Sequence, residues 1–126
     1  MASLPNSILA TVQRFAESMS LVAAPARDGS YIFDFETTGT LSFTPPAGGN
    51  GPALMSLSRD LRVPRYVALP ALLRQAGYDA GLDRTIHVGL SRKGRAVVWT
   101  PLGSERFELS DLMAAWNRLR AIVAAT

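Results

Sequence analysis

Asp34 and Glu36 are the side chains in this 126-residue chain best placed to divide acid and base work. On an extended strand they share one face about 6–7 Å apart, and two carboxylates at that spacing can hold different protonation states. No histidine, cysteine or lysine lies nearby in sequence to supply a third role. The solvated face of an amphipathic strand accounts for the pair more simply. His87 is the only histidine, and there is no cysteine. Disulfides, thiolate metal sites and cysteine nucleophiles are therefore excluded, and any histidine-based triad or zinc set would hang on one residue. Gly48-Gly49-Asn50-Gly51 is glycine-rich, but it lacks a following Lys-Ser/Thr and leads towards a strand, so it does not read as a phosphate loop. No G-x-S-x-G elbow is present. The chain reads as a binding protein, with no enzymatic activity, metal or cofactor expected.

Charge says more about what it binds. Twelve of the thirteen basic residues are arginine, and the isoelectric point is about 10.0. Up to residue 60, five acidic residues face three basic ones, a balance of −2; from residue 61 onwards, ten basic residues face five acidic ones, a balance of +5. A basic half attracts an anionic partner. Nucleic acid is one candidate, through Arg59, Arg62 and Arg65 with the Arg92-Lys93-Gly94-Arg95 turn. Against it, Tyr31, Phe33 and Phe35 alternate with Asp34 and Glu36, and acidic neighbours repel a phosphate track. An acidic protein partner is the better expectation, with a small nucleic-acid-binding domain as the alternative.

The elements that carry these residues follow from periodicity. From Leu4 to Leu21, Ile8, Val12, Phe15 and Met19 recur at helical spacing, and Leu9 and Ala16 widen the stripe. Ser3 or Asn6 is expected to cap this helix. Tyr31 to Glu36 and Thr40 to Thr44 alternate with period two around Thr38-Gly39, the pattern of a hairpin. A Pro/Gly-rich loop over 45–52 leads to a third strand, Ala53 to Leu57. After Pro64, Tyr66, Leu69, Leu72, Leu73 and Ala76 return to helical spacing, closed by Gly77. Pro70 suits a first turn better than a helix interior, so either the helix begins near Leu69 or a longer one kinks at Pro70, and the short helix is the preferred expectation. Thr85 to Leu90 and Arg95 to Leu102 form a second hairpin. Ser110 is expected to cap a last helix bearing Leu112, Trp116, Leu119 and Val123.

The expected architecture is α+β: one domain over residues 1–126, in the order α-βββ-α-ββ-α, with helices packed on an antiparallel sheet of five strands. Nothing alternates as βαβ, which argues against a nucleotide-binding doubly wound fold. No window approaches the ~18 apolar residues of a membrane span, and the first residues lack the pattern of a secretory signal. A cytoplasmic protein is expected.

This order resembles the class I type III secretion chaperones, small bacterial proteins related to the CesT group, and in particular the SycN branch. The resemblance is carried by residues 32–43, IFDFETTGTLSF, by residues 53–61, ALMSLSRDL, by His87-Val88-Gly89-Leu90 to Val97-Val98-Trp99, and by Phe107 to Leu112. It implies a non-catalytic chaperone that wraps an extended, non-globular segment of a secreted effector or gatekeeper protein around itself, without ATP. Carried over, it implies client contacts from Ile8, Val12 and Phe15 of the first helix and Phe33 and Phe43 of the sheet. It implies a dimer, either of identical chains or with another small chaperone, built on Leu69, Leu72, Leu73, Ile86 and Val88. Two features depart from the family pattern: its members are usually acidic, and Pro70 interrupts the central helix.

Overall fold

The computed structural model describes residues 3–103 and 106–126. Helix α1 (Asn6–Ser18) leads into strands β1 (Tyr31–Phe35), β2 (Gly39–Thr44) and β3 (Ala53–Asp60). Helix α2 (Arg65–Gln75) follows, then β4 (Gly77–Asp79), β5 (Arg84–Leu90), β6 (Arg95–Leu102) and helix α3 (Leu109–Ala124). The strands form one antiparallel sheet in the order β1-β2-β3-β6-β5-β4.

The alternation seen in the sequence decides which face is buried. Tyr31 and Phe33, Leu41 and Phe43, Met55 and Leu57, and Ala96 and Val98 all turn to the same side and are buried. Ile8, Val12 and Phe15 of α1 and Leu112, Trp116 and Leu119 of α3 complete that core, while Leu72 of α2 packs there with Ile86. Across the other face runs the register row Ile32, Ser42, Ser56, Trp99 and His87, exposed or half-buried in each of these five strands. A sheet with one dry face and one wet face is what antiparallel pairing permits.

Local chemistry fixes the elements, and several differ from expectation, beginning with β3, which runs on past Leu57 to Asp60. Helix α1 is preceded by Pro5 at its N-cap, with no side-chain cap from Ser3 or Asn6. Helix α2 starts at Arg65, not near Leu69, so Pro70 sits in its interior. The missing proline N–H would have met the carbonyl of Tyr66, a residue on the exposed side where water can take its place. Strand β4 is a sixth strand, three residues long, paired through Tyr78 with Thr85. Helix α3 begins at Leu109 with Glu108 as N-cap, so Ser110 lies inside the first turn; the Glu108 N–H donates to the Asp111 carboxylate at 2.8 Å.

Two contacts hold the layers in place. The Thr11 hydroxyl, buried within α1, donates to the Phe107 carbonyl at 2.6 Å and ties the first helix to the approach to the last. The main-chain oxygen of Thr126 accepts the N–H groups of Arg62 and Val63 at 2.8 and 3.1 Å, fastening the end of α3 to the β3–α2 connection. At the β1–β2 turn, Gly39 has φ +120°, and a Cβ there would stand 2.2 Å from the Ser58 carbonyl oxygen. Only glycine fits that approach.

Candidate functional site: apolar surfaces on the central helix and the sheet edge

The residues suggested for catalysis are not assembled. Asp34 is exposed and accepts the Thr40 hydroxyl at 2.8 Å, a cross-strand pair within the hairpin. Glu36 lies beyond the end of β1, so the two carboxylates do not share a strand face. His87 is exposed on the wet side of the sheet, stacked on Trp99 with ring centroids 5.5 Å apart. Among the described residues, no three histidine or carboxylate side chains gather where a metal ion could be held. No helix among them is long and apolar enough to cross a membrane.

The arginines from residue 59 onwards are largely engaged in the fold. Arg59 donates to the Val123 carbonyl at 2.6 Å, Arg84 to the Pro101 carbonyl at 3.4 Å, and Arg95 to the Ser58 carbonyl at 3.2 Å. Arg118 forks between Asp79, at 2.9 Å, and Gln75, at 2.7 Å, joining α3 to the α2–β4 region. Guanidinium groups suit this work because one head can satisfy several main-chain and side-chain acceptors. Much of the basic composition is thus structural rather than a phosphate track.

The five residues assigned to client contact by resemblance, Ile8, Val12, Phe15, Phe33 and Phe43, are all buried, none more than 4% exposed. They form the floor on which α1 rests against the sheet. The one-stripe pattern of the first helix is accounted for by this packing. What the same region shows to solvent is different: Val22 is 87% exposed, and Ile32 on the edge strand is 49% exposed. At the start of the same strand a cavity of about 250 Å³ is lined by Leu4, Leu9, Pro25 and Tyr31. Strand β1 is the edge of the sheet, and its outer side is met among the described residues by a single bridge, Pro25 to Tyr31. These surface residues escape a periodicity argument because Val22 lies outside the helix and Ile32 falls on the strand face opposite the core.

The five residues assigned to dimer contact divide. Leu72 and Ile86 are buried and hold α2 to β5, and Val88 is half-buried. Leu69 and Leu73 face outwards, Leu73 with 57% of its surface exposed. With Tyr66 they form an i, i+3, i+7 stripe on the outer face of α2, and Val67 and Tyr78 extend the apolar surface. The Tyr78 hydroxyl donates to Asp83 at 2.5 Å. That bond favours the neutral phenol and raises its pKa above the ordinary 10.0. Two apolar stripes on an eleven-residue helix, one buried and one bare, mean that α2 packs inward through Ala68 and Leu72 and leaves an apolar outer face exposed.

Neither a family model nor a curated protein matches this sequence. The fold, however, is shared with solved structures. The Yersinia pestis type III secretion chaperone SycH in complex with a stable fragment of YscM2 superposes with a TM-score of 0.65 at 15% identity, over 93% of this chain and 98% of that one. A chain of the HopA1–SchA chaperone–effector complex gives 0.66 at 14% identity, over 94% and 91%. A chain of the heterodimeric ExoU–SpcU complex from the type III secretion system of Pseudomonas aeruginosa gives 0.61 at 16% identity, over 90% and 96%. At these identities the likeness is one of architecture, and the chain has the fold of these type III secretion chaperone complexes.

Proposed function

We propose that this protein is a non-catalytic cytoplasmic chaperone that binds an extended segment of a type III secreted effector or gatekeeper protein. The observation that carries the reading is the match of fold along nearly the whole of both chains to structures solved with secreted partners or their fragments. The open edge of β1, which bears Ile32 and starts at the apolar cavity lined by Leu4 and Tyr31, suits a chain that adds main-chain hydrogen bonds and places alternate side chains in pockets. The stretch that resembles the SycN branch, residues 32–43, forms most of the hairpin bearing that edge. The buried Ile8, Val12, Phe15, Phe33 and Phe43 act by holding α1 and the hairpin in place beneath it. Dimerisation uses Tyr66, Leu69 and Leu73 on the outer face of α2, with an identical chain or another small chaperone.

The test is photo-crosslinking in the native host from a reactive residue placed at Ile32 or Val22, with mass spectrometry of the captured chain. Capture of a non-globular segment of an exported protein is the expected result, and Ile32→Glu should abolish it without changing the unfolding midpoint. Capture of nucleic acid in place of protein would reject the reading.

A further inference from the structure

A second cavity, of about 310 Å³, lies at the end of the sheet where the β1–β2 turn, the end of β3 and the start of β6 meet. Three arginines line it: Arg59, Arg62 and Arg95. Arg95 lies 3.3 Å from the Asp60 carboxylate, an ion pair not aligned as a hydrogen bond, and Asp60 is largely in water. Arg62 donates to the Thr37 carbonyl at 3.2 Å. Arg59 uses one nitrogen on Val123, while its Nε is buried with no acceptor. Neither Arg59 nor Arg62 has a carboxylate within ion-pair distance among the described residues. Burial, and after it the charge of Arg62, push the pKa of Arg59 down. Positive charge is thus held here with too little anion around it, and an unpaired buried donor carries a desolvation cost that an incoming acceptor relieves.

We propose that this cavity seats one acidic side chain of the extended client. The inference rests on the client-binding reading above and adds to it the chemistry of one client position. A carboxylate matches the planar fork of a guanidinium. Glu36 and Asp60 also line the cavity, so three positive charges face two negative ones. That balance suits a singly charged anion such as a carboxylate and disfavours a doubly charged phosphomonoester. The location fits too, because in the cavity wall Phe35 ends edge strand β1 and Glu36 and Thr37 follow it. The apolar cavity at Tyr31 lies at the other end of the same strand. From Tyr31 in one wall to Phe35, Glu36 and Thr37 in the other is a step of four to six residues, each rising about 3.3 Å along the strand, so the client should carry its acidic residue about four to six positions from an apolar one.

The probe is a library of random twelve-residue peptides displayed on phage and selected on the full chain, followed by synthesis of the best binder with Glu and with Gln at the acidic position. Selected peptides should be enriched in Asp or Glu at the stated distance from an apolar residue. Arg62→Gln should weaken the Glu peptide on the order of tenfold and leave the Gln peptide unchanged. Arg59→Gln should do the same if its unfolding midpoint is retained, and Arg62→Gln decides the matter if it is not. Binders without an acidic position, or equal losses for both peptides, would overturn the proposal while leaving the client-binding reading intact. Recovery of no peptide at all would overturn both. Displacement of the Glu peptide by a single-stranded oligonucleotide at lower concentration than by free Glu peptide would identify phosphate as the anion and overturn the carboxylate assignment.

Discussion

The ring of Phe15 stands edge-on to the indole of Trp116, with centroids 6.1 Å apart and planes at 74°. It joins the first helix to the last above the sheet. Phe33 and Phe43 meet the same ring at 5.8 and 6.5 Å, also edge-on, the arrangement aromatic quadrupoles favour. Phe15→Ala should therefore cost about 3–5 kcal/mol, read as a lower urea midpoint with an unchanged slope. Phe15→Leu should lose less. An alanine variant with the wild-type midpoint would show that the ring is not a core group.

The outer face of α2 predicts the oligomeric state. Light scattering should report about twice the 13.5 kDa chain mass at tens of micromolar, and Leu73→Glu should halve it. Because Leu73 is exposed in the single chain, the variant should keep its fold, as judged by circular dichroism. A monomeric wild type would reject the homodimer and direct the search to a second small chaperone.

Gly89 offers a gain in stability. Its φ lies outside the left-handed region, and a Cβ there would rest 3.7 Å from the Trp99 ring, ordinary van der Waals contact. Gly89→Ala should raise stability by about 0.4–1 kcal/mol, chiefly by restricting the unfolded chain. A lower melting temperature would show that the wet face of the sheet cannot take a methyl group beside Trp99.

Asp28 makes the turn before β1 sensitive to acid. Its carboxylate accepts the Ser30 N–H at 2.9 Å, and the main chain of Ser30, followed by its side chain, holds the pKa below the ordinary 3.8. A carboxyl whose folded pKa is depressed stabilises above its unfolded value and loses that contribution as pH falls through the folded one. Asp28→Ala should thus melt earlier than wild type at pH 7, with the gap closing below about pH 4. A gap independent of pH would assign the effect to something other than the charge.

The start of α3 gives a local test. Asp111→Ala removes the acceptor of the Glu108 N–H and should cost about 1 kcal/mol. Asp111→Asn, which keeps an oxygen there, should cost less. Equal losses in chemical denaturation would place the contribution in charge alone.

Most of the architecture was legible because it is written in periods. Ile8, Val12 and Phe15 mark a helix, and the alternation from Tyr31 to Phe35 and from Arg95 to Leu102 marks strands with one buried face. Elements too short to show a period escaped. Gly77-Tyr78-Asp79 cannot alternate over three residues, so β4 depends on pairing with β5. Pro70 misplaced the start of α2 because its cost depends on whether the Tyr66 carbonyl can find water, which is a matter of exposure. The surfaces were the least legible part. A stripe identifies the side of an element that is apolar, but whether that side meets the core or a partner depends on what else packs there. Leu72 and Leu73 are adjacent leucines with opposite fates, and only the position of α2 against β5 separates them.

Gly39 links two features that otherwise look unrelated. The absent side chain lets the hairpin close against the Ser58 carbonyl, and the same atom position is 3.1 Å from the Cβ of Arg59. A methyl group there would move the end of β3, and with it the guanidinium that faces the anion cavity. The edge strand and the cavity at its end thus share one point of contact, so a side chain at residue 39 should disturb the β2–β3 pairing and the proposed anion seat together.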